Sequence, residues 1–244
     1  MIRCENLTKV FDEKAGIYDI NLQFLPGVLY GIIGYNGAGK TTLLRCIEGL
    51  YLPTTGHVYH NDTSTKKEKE FLHIRKKIAY LPTDEYLYKK LTCIENIELA
   101  TILRTGKNKL TDETRELIKY FEAQGFLGKR FCDCSTGMKK KIQIIISLIG
   151  EIDTIIWDEP NDGLDIISNL RIKRLLNYYK SKNVTVLLSC HVIEFLDNFI
   201  DYCVIIQDGK IIEKQEARNI KSLEELYIRH IEEDKILYPF NGNK

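Results

Sequence analysis

The sequence has no excess of either charge and no paired metal-binding cysteines. Over 244 residues, 35 Lys and Arg stand against 34 Asp and Glu, which leaves a net charge of +1. A balance this close does not indicate a nucleic-acid partner or an anionic membrane surface. The seven cysteines are scattered, odd in number and never spaced C-x-x-C. They therefore favour reduced thiols over disulfides or a zinc site.

The chain also lacks a convincing membrane span, an internal repeat and a low-complexity segment. Residues 20–39 carry no charged side chain over a membrane-spanning length, yet Asn21, Gln23, Pro26 and Asn36 lie among them. Such polar and helix-breaking residues argue against a lipid-facing helix, so a role at a membrane requires a separate chain. Charge begins at once at the N-terminus with no apolar stretch, and we expect no signal peptide.

A phosphate-binding loop is predicted at residues 34–42, which read GYNGAGKTT and fit G-x-x-x-x-G-K-[ST]. The apolar run 28–33 predicts a buried strand before it, and residues 42–47 can open a helix after it. The glycines let backbone N–H groups wrap an anion, Lys40 brings charge to the β- and γ-phosphates, and Thr41 offers its hydroxyl to Mg²⁺. The predicted ligands are therefore the phosphates of a nucleotide and Mg²⁺, held by Gly34, Asn36, Gly37, Ala38, Gly39, Lys40, Thr41 and Thr42.

A second acidic motif follows the apolar run Thr154–Trp157. Asp158 and Glu159 end this predicted strand. Asp158 suits the water shell of Mg²⁺, which takes few protein carboxylates. Glu159, one residue on, points differently and is the candidate to orient or deprotonate an attacking water.

Strands and helices alternate through the second half of the chain, which predicts an α/β fold with a parallel sheet. Residues 1–34 predict β structure, with antiparallel alternation at 20–24. The stretch 92–149 is helical and interrupts the alternation. The predicted helices include 111–124 ended by Gly125, 136–149, 164–180, 192–199 and 222–234.

Aromatic and histidine residues near the N-terminus are candidate ligand contacts. Phe11 lies about thirty residues before Lys40, in a region where an aromatic ring can stack on adenine, and Tyr18 is a weaker candidate. A packing role explains Phe11 equally well. His57 and His60 have no partner at metal-ligand spacing and predict a solvated hairpin.

The order of these motifs resembles the nucleotide-binding subunit of ATP-binding-cassette (ABC) transporters across almost the whole chain. The resemblance implies a P-loop ABC ATPase fold with a mostly parallel RecA-like core and an N-terminal antiparallel β subdomain over 1–91 and 150–215. It also implies an inserted α-helical signature subdomain at 92–149 and a C-terminal helix and tail at 216–244. The landmarks are Phe11 at the A-loop, 34–42 as Walker A, Thr83 at the Q-loop, 134–138 as the signature, Asp158 and Glu159 as Walker B, 161–165 as the D-loop, and His191 as the switch histidine.

The resemblance implies an ATP-hydrolysing subunit that powers a separate membrane permease from the cytoplasmic face of the cell membrane. Two such subunits, identical or different, would close head to tail around two ATP molecules. Ser135 and Gly137 of one chain would meet the γ-phosphate held by the other, and Asp165 would bridge the chains. His191 would sense the γ-phosphate beside the catalytic Glu159. The signature segment STGMKKK is similar to that of subunits driving export-type permeases, and no nucleic acid is expected.

Two positions depart from the family pattern. Thr83 stands where the family has glutamine, and its shorter side chain leaves Asp84 or Glu85 as possible substitutes. Thr136 stands where the signature has glycine, and a β-branched residue there predicts an ordinary helical conformation. We expect hydrolysis to survive at a reduced rate.

Two other functions remain open from the sequence. A soluble ABC ATPase acting on DNA or ribosomes would need long coiled-coil insertions or a second cassette, and no sustained heptads are present. A low-turnover nucleotide-binding regulator or immunity module is compatible with Thr83 and Thr136.

Overall fold

The computed structural model describes residues 1–12 and 15–230. The last residues of the helix predicted at 222–234, and the tail beyond it, lie outside the described residues. The strands are β1 (Ile2–Asp12), β2 (Ala15–Phe24), β3 (Leu29–Ile33), β4 (Thr55–His60), β5 (Thr63–Ser64), β6 (Ile78–Leu81), β7 (Thr154–Asp158), β8 (Thr185–Cys190), β9 (Tyr202–Gln207) and β10 (Lys210–Glu216). The helices are α1 (Lys40–Glu48), α2 (Glu68–Arg75), α3 (Cys93–Thr105), α4 (Asp112–Tyr120), α5 (Thr136–Ser147), α6 (Ile166–Ser181), α7 (Ile193–Leu196) and α8 (Leu223–Ile228).

The larger sheet carries the candidate site. Its order is β10-β9-β3-β8-β7-β6, and β6 to β9 run parallel with β3, while β10 pairs antiparallel at the edge. Every residue of β3, β7 and β8 is buried, as expected for central strands covered on both faces. Because β3, β7 and β8 are neighbours, their carboxyl ends lie side by side. The predicted parallel α/β core is confirmed.

The smaller sheet is antiparallel, in the order β2-β1-β4-β5. Burial alternates along the second half of β2, which is the pattern predicted for a half-buried strand. Helix α1 contacts strands of both sheets. Leu43, Leu44 and Ile47 of α1 pack with Phe24 and Tyr30 in one buried cluster between the sheets.

Helices α3, α4 and α5 occupy the chain between β6 and β7. Thr92 caps α3 in a reciprocal capping box with Glu95. The prediction that α4 runs to Gln124 and ends at Gly125 is wrong, because Glu122 takes a φ of +53° and closes the helix after Tyr120. A 3-10 turn at Gln124–Phe126 follows.

The predicted helix at 192–199 is also too long. Only Ile193–Leu196 is helical, because Asp197 leaves the helix with a ψ of 135° and Asn198 then takes a φ of +54°. Among the described residues, no helix combines the length and the apolar character that crossing a bilayer requires.

His60 departs from the predicted solvated hairpin. It is 3% exposed, and its Nε2 lies 2.7 Å from the carbonyl oxygen of Ile47. The neutral ring donates this hydrogen bond, and burial lowers the pKa of His60 to about 4. In the unfolded chain the pKa is about 6.5, so below that pH only the unfolded state takes up the proton. The contribution of His60 to the free energy of unfolding is therefore at its full value above about pH 6.5, and it decreases as the pH drops towards 4.

We expect acidification from pH 7 to 4.5 to remove about 2 kcal/mol of unfolding free energy through His60 alone, since each pKa unit is worth about 1.4 kcal/mol. Urea unfolding at both pH values measures the loss. His60→Gln should show a smaller loss than wild type, whereas exposed His57→Gln should keep the wild-type loss. Equal pH dependence in wild type and His60→Gln would contradict this explanation.

Candidate functional site

The predicted phosphate loop lies between β3 and α1. Gly39 has a φ of +108° and directly precedes α1, and a Cβ at Gly34 would collide with the carbonyl oxygen of Ile206. These positions require glycine. Lys40 is 5% exposed, and its Nζ donates to the carbonyl oxygens of Gly34 at 2.7 Å and Tyr35 at 3.2 Å. Burial lowers the pKa of Lys40, while Glu159 and Asp158 oppose the shift.

Asp158 ends β7 and is fully buried next to the loop. Its Oδ2 accepts a hydrogen bond from Thr41 Oγ1 at 2.6 Å, and its Oδ1 accepts one from the Ser189 hydroxyl. The two residues predicted for Mg²⁺ therefore meet directly. Threonine hydroxyl and carboxylate oxygens are the hard donors that Mg²⁺ prefers, so the donor set fits this ion.

Glu159 faces the loop from the other side. One carboxylate oxygen lies 3.9 Å from Lys40 Nζ and the other 3.2 Å from His191 Nδ1. Asp162 lies close to both residues: one side-chain oxygen or nitrogen atom from each of Glu159, Asp162 and His191 lies within 4.8 Å of the other two. A carboxylate beside a phosphate loop, with a histidine at its edge, is suited to activating water.

A cavity of about 450 Å³ opens at this place. Clefts of about 480 and 570 Å³ lie elsewhere, and the first is lined by Thr154 and Thr185 at the opposite ends of β7 and β8. In open parallel sheets, ligands bind at the carboxyl ends of the strands, so position and not volume selects the smaller cavity. Its lining residues are Asn36, Gly37, Gly39, Lys40, Thr41, Thr42, Arg45, Thr83, Asp84 and Glu159.

The signature residues lie outside this cavity's lining. Ser135 is exposed and caps α5, where its Oγ accepts from the Met138 N–H at 3.3 Å. Thr136 begins α5 in an ordinary helical conformation, as predicted. Ser135 and Gly137 therefore do not line the phosphate cavity of their own chain, and Ser135 is exposed to solvent.

The acids beside Thr83 are already paired. Arg45 Nη2 contacts Asp84 Oδ2 at 2.8 Å, and Lys139 Nζ contacts Glu85 Oε1 at 2.8 Å. These contacts tie the segment to α1 on one side and to α5 on the other. Thr83 and Asp84 line the cavity, whereas Glu85 does not.

Phe11 and Asp165 do not line the cavity. Phe11 is 49% exposed and packs edge-on against Tyr51, with its ring centroid 5.3 Å away. Asp165 caps α6 by accepting the Ser168 N–H at 2.6 Å, and this bond lowers the pKa of Asp165. Tyr18 is half-buried against Gly209.

Sequence reasoning missed Ser189 and Lys140. The Glu159 N–H donates to Ser189 Oγ at 3.1 Å, and Lys140 Nζ donates to the Glu159 carbonyl oxygen at 3.2 Å. Ser189 sits opposite Asp158 in the register of β7 and β8. Nothing in the sequence distinguishes Ser189 from the other residues of its strand, and Lys140 lies within a run of three lysines.

Comparison with known proteins gives consistent matches. The family model described as ABC transporter matches residues 17–162. The chain is similar to the bacitracin transport ATP-binding protein BcrA of Bacillus licheniformis, with 31% identity over 93% of this chain and 74% of that protein. It is also similar to the lantibiotic transport ATP-binding protein SrtF of Streptococcus pyogenes, with 28% identity over 95% of this chain and 97% of that protein.

Solved structures agree. An ATP-binding subunit of an ABC transporter shares 27% identity and a TM-score of 0.81, covering 93% of this chain and 98% of that one. A dimeric post-hydrolysis state of an ATP-binding cassette, bound to ADP and Pi, shares 27% identity and a TM-score of 0.80, covering 90% of this chain and all of that one.

Proposed function

Because this chain belongs to the ABC transporter family of ATP-binding subunits, we propose that it powers export by a separate membrane permease through ATP-driven head-to-tail dimerisation. One observation carries the proposal: the phosphate cavity and the exposed Ser135 belong to one chain but do not meet in it. A second copy, turned head to tail, brings its own Ser135 to this cavity. The N-terminus of α5 then offers backbone N–H groups to the γ-phosphate.

The export direction rests on the similar proteins and the signature. BcrA and SrtF are named for the transport of bacitracin and a lantibiotic. The segment STGMKKK also resembles that of subunits that drive export-type permeases. The chain then works at the cytoplasmic face of the cell membrane, held there by its permease.

Mg²⁺ would be held by Thr41 and Asp158, the two residues already joined at 2.6 Å. When bound, it would neutralise charge on the β- and γ-phosphates. Ser189 fixes the other oxygen of Asp158 and so sets its orientation. When ATP binds, Lys40 Nζ would donate hydrogen bonds to phosphate oxygens in place of the carbonyl oxygens of Gly34 and Tyr35.

Glu159 orients a water molecule and accepts its proton, as a carboxylate at hydrogen-bond reach of the attacking oxygen. His191 Nδ1 steadies one Glu159 oxygen from 3.2 Å. Phe11, exposed and backed by Tyr51, supplies the ring on which adenine stacks. Asp165, at the exposed start of α6, bridges to the second subunit.

An apolar surface on α3 fits the permease. Leu103 is 71% exposed, Ile102 47% and Tyr88 63%. Tyr88 and Leu99 share a recess of about 300 Å³ whose lining is almost wholly apolar. Exposed apolar patches of this kind mark interaction sites. We call this surface, formed by Leu99, Ile102 and Leu103 of α3 and by Tyr88 just before it, the α3 face.

Binding of the chain to a permease through the α3 face can be tested in the source cells. Tagged wild-type chain should be found with washed membranes, cross-linked to one multi-span membrane protein. Leu103→Glu should reduce the membrane-bound fraction about tenfold, because burying a leucine side chain is worth roughly 1.5–3 kcal/mol. Leu72→Glu, at a 52% exposed leucine of α2, is the matched control and should leave the fraction unchanged. Wild type absent from the membranes, or equal binding by both variants, would count against the proposal.

A further inference from the structure

Glu159 holds a backbone conformation that needs support. Its φ is +52°, in the left-handed region that non-glycine residues rarely adopt. Pro160 follows, and a proline also disfavours helical conformations in the residue before it. Such a conformation costs on the order of 1–3 kcal/mol and persists only where surrounding contacts hold it.

Hydrogen bonds hold the Glu159 peptide units on both sides. The N–H donates to Ser189, with Oγ at 3.1 Å and the carbonyl oxygen at 3.2 Å. The carbonyl oxygen accepts from Lys140 Nζ at 3.2 Å and from the Asp162 N–H, within its own loop, at 3.4 Å. Ser189 belongs to β8 and is part of the rigid sheet, whereas Lys140 belongs to α5.

Lys140 is an unusual residue to bury. It is 5% exposed, although a buried ammonium is costly unless it is compensated. Asp158, Glu159 and Asp162 surround it, and their charges oppose the lowering of the Lys140 pKa by burial. Lys140 of α5 therefore places a positive charge among the carboxylates beside the phosphate loop.

The first turn of α5 also packs directly on the loop after Glu159. A Cβ at Gly163 would lie 2.6 Å from Thr136 Cγ2, and a Cβ at Gly137 would lie 2.9 Å from the Gly163 carbonyl oxygen. The helix that begins at Ser135 is thus connected to the 159–163 segment twice, through Lys140 and through the contact of Thr136 with Gly163.

We propose that Lys140 is a positioning residue for hydrolysis, which fixes the backbone of Glu159 to the signature helix of the same chain. The proposal rests on the proposed function. In the head-to-tail dimer, Ser135 at the start of α5 contacts ATP held by the partner. Lys140 then makes the geometry of Glu159 in one site depend on ATP seated at the other.

The test compares Lys140→Met, Lys140→Arg and Lys119→Met. Methionine keeps the length but cannot donate to the Glu159 carbonyl, and a hydrogen bond from a charged group is worth about 1.5–3 kcal/mol. We expect kcat of Lys140→Met to fall roughly ten- to hundredfold, with KM and ATP affinity unchanged. Lys140→Arg, which can still donate, should recover most of the rate. Lys119→Met, at an exposed lysine of α4, should match wild type.

A double-mutant cycle separates positioning from a merely structural role. If Lys140 acts through Glu159, Lys140→Met should add no further loss to Glu159→Gln in single-turnover measurements with labelled ATP. Wild-type kcat in Lys140→Met, a multiplied loss in the double variant, or a parallel loss of ATP affinity would overturn the proposal.

Hydrogen exchange gives a readout that needs no turnover. Amides in the 158–163 segment should exchange faster in Lys140→Met than in wild type or Lys119→Met, because the hydrogen bond that ties the Glu159 carbonyl to α5 is gone. Unchanged exchange would overturn the role of Lys140. A wild type that fails to hydrolyse ATP would instead overturn the proposed function, so the two failures are distinguishable.

Discussion

Replacing Glu159 by glutamine is expected to lower kcat for ATP hydrolysis about a thousandfold, in the range typical for removal of a general base. The amide keeps the size of the side chain but cannot accept the proton of the attacking water. Lys40, Thr41 and Asp158 are untouched, so ATP should bind as tightly as to wild type. Phosphate release and equilibrium ATP binding, measured on the same preparations, check both expectations.

The matched control is Glu151→Gln, an 83% exposed carboxylate just before the other end of β7. It should hydrolyse ATP at the wild-type rate. Turnover by Glu159→Gln within a few-fold of wild type would remove Glu159 from the chemistry and leave Asp162 or His191 as the base.

Lys40→Met and Ser135→Arg should each be inactive alone, yet regain activity when mixed. Lys40 supplies the buried ammonium of the phosphate loop, and its loss should weaken ATP binding about a hundredfold, since charge-assisted bonds are worth about 1.5–3 kcal/mol each. Ser135→Arg should leave ATP bound to the same chain but block the partner's γ-phosphate. In the mixed dimer, the intact loop of one chain meets the intact signature of the other.

Phosphate release by the two purified variants, separately and together, measures this complementation. The double variant Lys40→Met/Ser135→Arg is the control, because it cannot complete a site with either single variant. Its mixtures should stay inactive. If the two single variants together are no more active than apart, the head-to-tail arrangement is contradicted.

Local motifs could be predicted because their chemistry is contiguous in sequence. Residues 34–42 follow a buried strand and open a helix, and Asp158 and Glu159 end another strand. Both were expected, since glycine, lysine and carboxylate roles follow from residue type and spacing. The capping of α5 by Ser135 was equally local.

Contacts between distant segments could not be predicted. Ser189 contacts Asp158 only because β8 lies beside β7. The sequence of a strand does not reveal which strands will be its neighbours in the sheet. Lys140 reaches Glu159 only because α5 packs on the end of β7. Likewise, His60 was expected in solvent, but the packing of α1 against β4 buries it.

Helix ends were missed where backbone conformation, and not side-chain pattern, decides them. Glu122 closes α4 in a left-handed conformation, and Asp197 ends α7 with a ψ of 135°, just before left-handed Asn198. Glu122 is an unexpected residue for this role, because glycine lay nearby at Gly125 and was the better candidate by propensity.

The structure shows what the two acids next to Thr83 contact. Asp84 is paired with Arg45 and lines the cavity, whereas Glu85 is paired with Lys139 and does not. Glu159, His191 and Asp158 already surround the phosphate loop. Hydrolysis at a reduced rate remains the prediction.

The most direct measurement is sedimentation of Glu159→Gln with and without Mg-ATP. Blocked hydrolysis should trap the closed state, because ATP binds it best and cannot leave by turnover. We predict a single chain without nucleotide and a dimer with Mg-ATP, whereas wild type returns to the single chain as ATP is consumed. Glu159→Gln that binds ATP yet sediments as a single chain would contradict ATP-driven dimerisation.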